Sequence, residues 1–303
     1  MIVILGPTAS GKTSLAAKVA LEFDGEVISA DSRQVYKGLD IGTGKDLEDY
    51  IIRQKKIPYH LIDIIEPGYE YNLFEFQRDF LTAYHDIKQR NKLPVLCGGT
   101  GLYIEAVLSG FDLPPMKKDP EFEHGLQDKT IEDLVEMLKD LRPLHNTTDM
   151  LDKQRLIKAI EIATPHPPAP SPLGEGEDRV QSIEYVIFGI RFEREEIRKR
   201  ITERLERRLQ QGLIEEVRKL SDSGVGPDQL KFYGLEYRFI TMYLLEEITY
   251  SEMFRLLNTA IHQYAKRQMT WFRKMERSGF IIHWIDGTLD LDEKINIINR
   301  ELS

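Results

Sequence analysis

Short apolar runs alternate along the chain with longer segments in which apolar and polar residues recur at helical spacing. Most of the runs end in turn residues and lead into such an amphipathic segment, which is typical of a parallel sheet with helices on both faces. The pattern therefore predicts an α/β fold. The predicted strands are Ile2–Leu5, Val27–Ser29, His60–Asp63, Val95–Cys97, Tyr185–Ile190 and Phe280–Trp284.

The alternation changes after the first part of the core, residues 1–111. Residues 112–150 carry prolines and a short charged helical pattern, so they are predicted to form a small helical insert. Residues 151–303 are predicted to continue the core and to supply C-terminal helices. Within them, the dense prolines of residues 164–178 predict an extended linker. We interpret this linker as a surface insertion rather than a partner-binding motif, because loops accept insertions at little entropic cost.

Two long helical patterns occupy the C-terminal third. Over Arg194–Leu220 an apolar residue recurs at every fourth position, which predicts one apolar helix face, and Gly224 follows as a stop signal. The segment Thr249–Glu252 has the spacing of a capping box. It predicts a further long helix through Met275, with Gly279 just past its end.

The first predicted strand leads directly into the sequence GPTASGKT. Its two glycines, followed by Lys and Thr between a strand and a helix, match a phosphate-binding loop, and a chance Gly-rich turn is the alternative. Backbone N–H groups of such a loop bind phosphate oxygens, Lys12 supplies a cation, and the Thr13 hydroxyl can hold Mg²⁺. The sequence therefore predicts a di- or triphosphate site. Its residues are Gly6, Thr8, Ala9, Ser10, Gly11, Lys12 and Thr13.

Composition narrows the protein class. Of 303 residues, 41% are hydrophobic and 30% charged, as expected for a globular protein, and no apolar run approaches the length of a membrane span. The N-terminal run is expected to be a strand rather than a leader peptide, which makes the cytoplasm the expected location. The single cysteine, Cys97, excludes an internal disulfide and is expected to be buried in a strand. A net charge of −9 argues against indiscriminate nucleic-acid binding but permits a local basic groove.

Polar residues at the ends of the predicted strands are the candidates for chemistry. Asp31 should face the phosphate-binding loop, where it can accept a proton, position Mg²⁺ or simply cap a helix. The strand before Gly98–Tyr103 lacks the acid that holds Mg²⁺ in typical P-loop ATPases. Its glycines allow a ligand to approach closely, and Thr100 can donate to an oxyanion or cap a helix. Asp63 can replace the missing acid or cap the next loop.

Basic residues concentrate in two segments. Over residues 191–219 glutamates alternate with arginines, which is typical of a solvated helix with i,i+4 ion pairs. The segment Tyr264–Lys274 has four basic residues, three aromatic residues and no acid. Such a face can contact phosphates and stack on bases. On the residues alone, the favoured interpretation places Trp271 and Phe272 in the core and the cations in solvent.

Taken together, these segments resemble the tRNA dimethylallyltransferases, also called isopentenyl-tRNA transferases. The phosphate-binding loop is shared by many families, whereas SADSRQVY and AKRQ-TWF are far more specific. A bacterial-type member with a P-loop NTPase-like fold is implied, since no Cys/His finger follows at the C-terminus. The matching stretches keep the family's order: GPTASGKT (6–13), ISADSRQVYKGLDIGTGK (28–45), HLIDIIEPGYEY (60–71), GGTGLY (98–103), QGLIEEVRKL (211–220) and QYAKRQMTWFRK (263–274).

The resemblance implies a reaction in which a dimethylallyl group moves from dimethylallyl diphosphate to N6 of adenosine 37, beside the anticodon in the tRNA stem-loop, with Mg²⁺ as cofactor. Asp31 matches the family's proposed general base, and Thr100 matches a residue near the reaction channel. Lys12, the loop amides and Mg²⁺ on Thr13 would stabilise the leaving diphosphate. The insert, residues 112–150, is then expected to face the tRNA. The residues expected to contact tRNA are Asp31, Ser32, Arg33, Gln34, Thr100, Gln154, Arg155, Lys158, Tyr233, Gly234, Lys266 and Arg267.

Several positions depart from the family's pattern. Ile261-His262 stand where the family has Thr-Arg, and Tyr233-Gly-Leu-Glu-Tyr237 replaces Ile-Gly-Tyr-Lys-Glu. Lys45-Asp46 follows an added Gly44 where the family has Lys-Pro, and Glu123 takes the place of an arginine in the insert. These changes spare the phosphate-binding loop and Asp31. The leading hypothesis is therefore a monomeric enzyme that transfers the prenyl group of a prenyl diphosphate to tRNA. A P-loop small-molecule kinase and a non-catalytic tRNA-binding paralogue are the alternatives.

Overall fold

A six-stranded parallel sheet forms the centre of the fold. In the computed structural model its spatial order is β5-β2-β6-β1-β7-β8, and a separate two-stranded hairpin pairs β3 with β4. The described residues are 1–111, 125–141, 153, 156–157, 160 and 183–302. The strands are β1 (Ile2–Leu5), β2 (Gly25–Ala30), β3 (Ile51–Ile52), β4 (Lys55–Lys56), β5 (Tyr59–His60), β6 (Leu93–Gly98), β7 (Val186–Arg191) and β8 (Ile282–Asp286).

All six predicted strands of the parallel sheet are present, and one is shorter than predicted. The strand expected over His60–Asp63 ends at His60, because Leu61 and Asp63 turn the chain with positive φ angles of 62° and 56°. The helices are α1 (Lys12–Glu22), α2 (Leu73–Gln89), α3 (Gly101–Leu108), α4 (Ile131–Leu141), α5 (Arg194–Gln210), α6 (Leu213–Asp222), α7 (Pro227–Phe232), α8 (Leu235–Leu244), α9 (Tyr250–Arg277) and α10 (Leu291–Leu302).

Both faces of the sheet are covered, as the continuous apolar runs predict. Alternate residues of β1 enter two different cores: Val3 and Leu5 pack on one side, Ile2 and Ile4 on the other. All four side chains are buried. The predicted α/β class with helices on both faces is therefore confirmed.

The helical pattern over Arg194–Leu220 is not one helix, and this prediction was wrong. The chain breaks between α5 and α6 at Gly212, whose φ of 101° lies in the region that favours glycine. The four-residue spacing continues across the break and hides it in the sequence. The capping box is confirmed: the Thr249 side chain accepts from the N–H of Glu252, whose carboxylate accepts from the N–H of Thr249.

The chain divides into two compact units, Met1–Ser109 with Ser182–Ser303, and Gly110–Gln181. The predicted insert, 112–150, falls in the second unit. That unit extends past residue 150, because Leu156, Ile157 and Ile160 share an apolar core with Leu126, Leu134 and Leu138. The proline-rich residues 164–178, Glu123 and the predicted tRNA contacts Gln154, Arg155 and Lys158 lie outside the described residues.

Among the described residues, no helix is long and apolar enough to cross a membrane. Cys97 is buried in β6, as predicted, and burial raises the pKa of its thiol to about 12.

Candidate active site

The carboxyl ends of three strands bring the predicted segments together. The register places Leu5 beside Gly98, and Gly98 beside Ala30. Consequently the phosphate-binding loop, Asp31 and the Gly99-Thr100 segment all leave the sheet at the same edge. This is the edge at which parallel α/β sheets bind ligands.

The predicted strand–loop–helix arrangement is present at Gly6–Thr13. The loop turns through positive φ at Ala9 (62°) and Gly11 (78°), and α1 begins directly after it at Lys12. Since glycine holds the N-cap position, no side chain covers the first N–H groups of α1, which remain available to an anion. Burial lowers the pKa of Lys12, and the nearby Arg204 adds to this effect, whereas Asp31 and Asp46 oppose it.

Gln268 of α9 links the phosphate-binding loop to the neighbouring segment. Its Oε1 accepts from the N–H of Thr8 at 2.8 Å, and its Nε2 donates to the carbonyl of Gly99 at 2.8 Å. A side chain at Gly99 would lie 2.3 Å from Gln268, and one at Gly98 would lie 2.3 Å from the Ala30 carbonyl. The two glycines therefore make room for protein neighbours rather than for a ligand, which corrects the sequence interpretation.

Some arginines of α5 line the cavity beside the loop, so the prediction of a solvated helix holds for only part of it: Arg194 and Arg198 are exposed, and Lys199 forms an i,i+4 ion pair with Glu203. Arg200 donates from Nε to the carbonyl of Ala9 at 3.1 Å, and Arg204 donates from Nη1 to the Thr8 hydroxyl at 3.2 Å. The cavity, of about 400 Å³, is also lined by Lys12, Arg207 and Arg208. The i,i+4 alternation with glutamate resembles a solvated helix and gives no signal that one face reaches the loop.

Carboxylates stand opposite these cations in the same cavity. Asp46 forms ion pairs with Arg204 and, at 3.7 Å, with Arg208. Burial raises the pKa of Asp49, and a hydrogen bond with Ser14 opposes that rise. With the Thr13 hydroxyl they present oxygen donors of the kind that Mg²⁺ prefers. In the described ranges, no group of three or more Asp, Glu, His or Cys side chains is placed to hold a metal ion.

The added Gly44 has a structural reason. Its φ is +64°, and a Cβ there would lie 1.7 Å from Nη2 of Arg208 and 2.6 Å from Nη2 of Arg204. The two guanidinium groups therefore pack against bare backbone. Gln34 holds this loop, because its Nε2 donates to the carbonyl of Gly44 at 2.9 Å.

Asp31, Thr100 and Tyr264 form the second part of the site. Asp31 accepts from the N–H of Arg33 at 2.9 Å in a turn, and no helix follows for it to cap. Thr100 holds the N-cap position of α3 but makes no side-chain capping bond, and it is hydrogen-bonded to Tyr264 instead. Burial raises the pKa of Tyr264, and the charge of Asp31 adds to the rise. Tyr264 was missed as a site residue, although its segment was singled out.

Asp63 does not face the phosphate-binding loop. Its carboxylate pairs with the buried Lys45, which also donates to the Tyr36 carbonyl at 2.9 Å and to Asp40 at 2.6 Å. The structure therefore assigns Asp63 to a loop-bracing cluster and removes it as the substitute acid.

The predicted tRNA contacts differ in accessibility. Lys266 and Arg267 are exposed on α9, and Arg33 stacks on the exposed ring of Phe232, 4.7 Å from its centroid. Tyr233, in contrast, is buried, and its hydroxyl accepts from the N–H of Gly68 at 2.5 Å. Gln34 is buried as well, and Ser29 donates to its Oε1 at 2.9 Å. Gly234 is the N-cap residue of α8 and has a φ of 136°. The backbone N–H of Ser32 donates a long hydrogen bond of 3.5 Å to the Thr100 hydroxyl.

The helix of the AKRQ segment divides its aromatic residues between core and site. Phe272 is buried, as the sequence interpretation proposed. Trp271 packs against Gly101, where a Cβ would come within 2.3 Å of the indole, and Lys274 lies 4.7 Å above its ring. His262, which stands in place of the family's arginine, lies 3.2 Å from the Arg198 carbonyl, and burial lowers its pKa.

A parallel α/β sheet with a Gly-rich strand–loop–helix turn and a carboxylate at its carboxyl edge defines an α/β protein whose candidate site lies at that edge. The family model for IPP transferase matches residues 34–275, and that for isopentenyl transferase matches residues 1–61. The chain belongs to the tRNA dimethylallyltransferase family.

Curated relatives match over nearly the whole chain. It is 54% identical to tRNA dimethylallyltransferase 2 of Bacteroides fragilis, covering 100% of this chain and 97% of that protein. It is 52% identical to tRNA dimethylallyltransferase 1 of Parabacteroides distasonis, covering 100% and 98%.

Solved structures agree with the fold. The full-length tRNA isopentenylpyrophosphate transferase of Bacillus halodurans is 32% identical, with a TM-score of 0.70, covering 99% of this chain and 94% of that one. A eukaryotic dimethylallyltransferase acting on tRNA is 23% identical, with a TM-score of 0.74, covering 100% and 77%. At that identity the likeness supports the fold alone.

Proposed function

We propose that this chain transfers a dimethylallyl group from dimethylallyl diphosphate to N6 of adenosine 37 in tRNA. The carrying observation is the shared edge of the sheet, at which the phosphate-binding loop leaves β1 and Asp31 follows β2, with β6 between the two strands. The N6 lone pair attacks C1 of the prenyl group, the C1–O bond breaks, and diphosphate leaves with the bonding electrons. The proton on N6 passes to the Asp31 carboxylate.

The loop and two arginines of α5, Arg200 and Arg204, bind the leaving group. N–H groups at the start of α1, Lys12 and Arg204 surround the cavity with donors and positive charge. Charge develops on the bridging oxygen as C1–O breaks, so preorganised donors lower the barrier more than they tighten ground-state binding. Bound Mg²⁺, held by Thr13 with Asp46 or Asp49, would neutralise further charge on the diphosphate.

The Asp31 side of the site binds the adenine. Asp31 is half-buried and is oriented by the N–H of Arg33. Thr100 and Tyr264 adjoin it, so an adenine entering here meets two hydroxyl groups and a carboxylate. Adenosine 37 must leave its stack to reach this position, as in other enzymes that modify bases. Arg33, Lys266 and Arg267 would contact the anticodon stem-loop around it.

A kinase would use the same loop differently. It would transfer the γ-phosphate of ATP to a hydroxyl acceptor, and a P-loop kinase or ATPase places an acid at the strand end to hold Mg²⁺. Here the corresponding strand, β6, ends in Cys97-Gly98 and carries no acid at that point. The carboxylate of Asp63, which follows β5, pairs with Lys45 instead, so the acid that a kinase would need is not in place.

The proposal is tested with isotope-labelled dimethylallyl diphosphate, Mg²⁺ and bulk tRNA from cells that lack the modification. Digestion to nucleosides and mass spectrometry should reveal labelled N6-prenyladenosine. A reaction with free AMP in place of tRNA is the control for nucleotide prenylation. Labelled product with AMP but not with tRNA would contradict the proposal. So would the absence of any labelled product while a known enzyme reacts in parallel.

A further inference from the structure

Arg208 is the most deeply buried cation of the cavity that adjoins the phosphate-binding loop. Its side chain is 9% exposed, and it points from α5 into that cavity. Within the described parts of the chain, its Nη2 atom is buried without a hydrogen-bond acceptor, and so is the Ser10 hydroxyl on the loop. Two buried polar groups that line one cavity and lack partners indicate a ligand with acceptor oxygens.

The surroundings of Arg208 hold its guanidinium group without satisfying it. The nearest carboxylates are Glu236, 3.9 Å from Nη1, and Asp46, 3.7 Å from Nη2. Both distances fit an ion pair but exceed a hydrogen bond. The group lies against the backbone of Gly44, where a Cβ would be 1.7 Å from Nη2 and 2.7 Å from Cζ of Arg208. Burial lowers the pKa of Arg208 to about 10, so it remains charged at neutral pH.

A purely structural ion pair between α5 and α8 is the alternative explanation. Such a pair would be expected to close to hydrogen-bonding distance, because a buried donor left unpaired is destabilising by roughly 1–3 kcal/mol. Glu236 is the carboxylate of α8 within reach, yet its Oε1 stays 3.9 Å from Nη1 of Arg208. Neither this carboxylate nor that of Asp46 comes within hydrogen-bonding distance of Arg208, which lines the cavity, and this unsatisfied donor capacity favours a ligand.

We propose that Arg208 binds the diphosphate through its guanidinium group, and that Glu236 positions this group. This inference rests on the proposed function, because it concerns the same diphosphate. Glu236 occupies the position at which the family's motif has a lysine. In this chain, therefore, the positive charge near α8 comes from Arg208 of α5.

The test measures binding of magnesium pyrophosphate by isothermal titration calorimetry, without tRNA or prenyl donor. Arg208→Met should raise the Kd about 10- to 100-fold, the range expected for a hydrogen bond to a charged group. Arg207→Met is the matched control, because Arg207 is the next residue of α5, lines the same cavity and is exposed. It should change the Kd by no more than about threefold.

A rescue variant separates ligand binding from folding. In Arg208→Met combined with Glu236→Lys, a cation returns to the cavity from α8, and the Kd should recover at least partly. Far-UV circular dichroism and thermal unfolding check that each variant is folded. If Arg208→Met is folded and binds as tightly as the wild type, or if Arg207→Met loses as much affinity, the inference is wrong. A wild-type protein that does not bind magnesium pyrophosphate would overturn the proposed function itself.

Discussion

Asp31 is the residue on which the proposed chemistry depends most. Its carboxylate has a local role as acceptor for the N–H of Arg33, so replacement by Ala removes both the base and that bond. Asp31→Asn is the sharper variant, because its amide oxygen retains the turn. Both substitutions should lower the prenylation rate about 10²- to 10⁴-fold, as expected for loss of a general base.

Single-turnover rates with saturating tRNA and dimethylallyl diphosphate measure this effect, and filter binding measures tRNA affinity. The affinity should stay within about threefold of the wild type, since the base acts after binding. An Asn variant that reacts at the wild-type rate would show that Asp31 only shapes the turn.

Glu26 gives the stability of the fold a pH dependence. Its side chain is 5% exposed at the start of β2, where burial alone would raise its pKa, yet hydrogen bonds from Arg90 and His60 outweigh burial and lower it. A carboxyl with a lowered folded-state pKa stabilises the fold above its usual value of 4.5, and this contribution is lost as the pH falls through the folded-state pKa. Glu26→Gln should therefore reduce the free energy of unfolding at pH 7 by about 1–3 kcal/mol.

Urea unfolding between pH 7 and pH 3 measures this effect. The difference between the wild type and Glu26→Gln should shrink toward the acid end, where Glu26 becomes protonated. A difference that stays constant over the whole range would exclude the ion pairs as its cause.

At the scale of elements, the loop that carries Gly44 couples stability to the anion site. Gly44→Ala places a Cβ against Arg208 and also forces alanine into a positive φ. Gly38 is the matched control, since its φ is +70° and a Cβ added there would have no neighbour within 4 Å. The strain common to both is about 1–2 kcal/mol. Gly44→Ala should be destabilised by more than this and should also weaken pyrophosphate binding.

Urea unfolding of the two variants and calorimetry with magnesium pyrophosphate check this prediction. If Gly44→Ala and Gly38→Ala are destabilised equally and both keep the wild-type affinity for pyrophosphate, the positions of Arg204 and Arg208 do not depend on the bare backbone at Gly44.

The elements that could be predicted are those that local patterns encode. The apolar runs locate the strands, GPTASGKT lies between a strand and a helix, and Thr249–Glu252 carries both partners of a capping box. The break at Gly212 could not be predicted, because the apolar spacing continues across it.

The part of the site that tertiary packing creates could not be predicted from the sequence. Arg200 and Arg204 reach the loop only because α5 crosses its open side, about 190 positions away along the chain. Gln268 has no local pattern that announces its two bonds to Thr8 and Gly99. Tyr264 likewise joins Thr100 only through the packing of α9 beside α3.

For the whole molecule, a net charge of −9 must coexist with binding of a polyanion. The cations that could contact RNA are local, among them Arg33, Lys266 and Arg267, so binding should depend on a few phosphate contacts. Each contact releases counterions, and log Kd should therefore rise linearly with log salt concentration. Filter binding of tRNA from about 50 to 200 mM salt measures the slope. The double variant Lys266→Gln with Arg267→Gln should have a shallower slope, and an unchanged slope would place the RNA elsewhere.

The central claim is that the carbon chain, not a phosphate, is transferred from a diphosphate that leaves. The most direct test counts products: N6-prenyladenosine by mass spectrometry and pyrophosphate by an enzyme-coupled assay, in one reaction with tRNA and dimethylallyl diphosphate. We predict equimolar amounts of the two, and no phosphate transfer when ATP replaces the prenyl donor. Transfer of the ATP γ-phosphate to an acceptor, with no prenylated nucleoside, would contradict the claim.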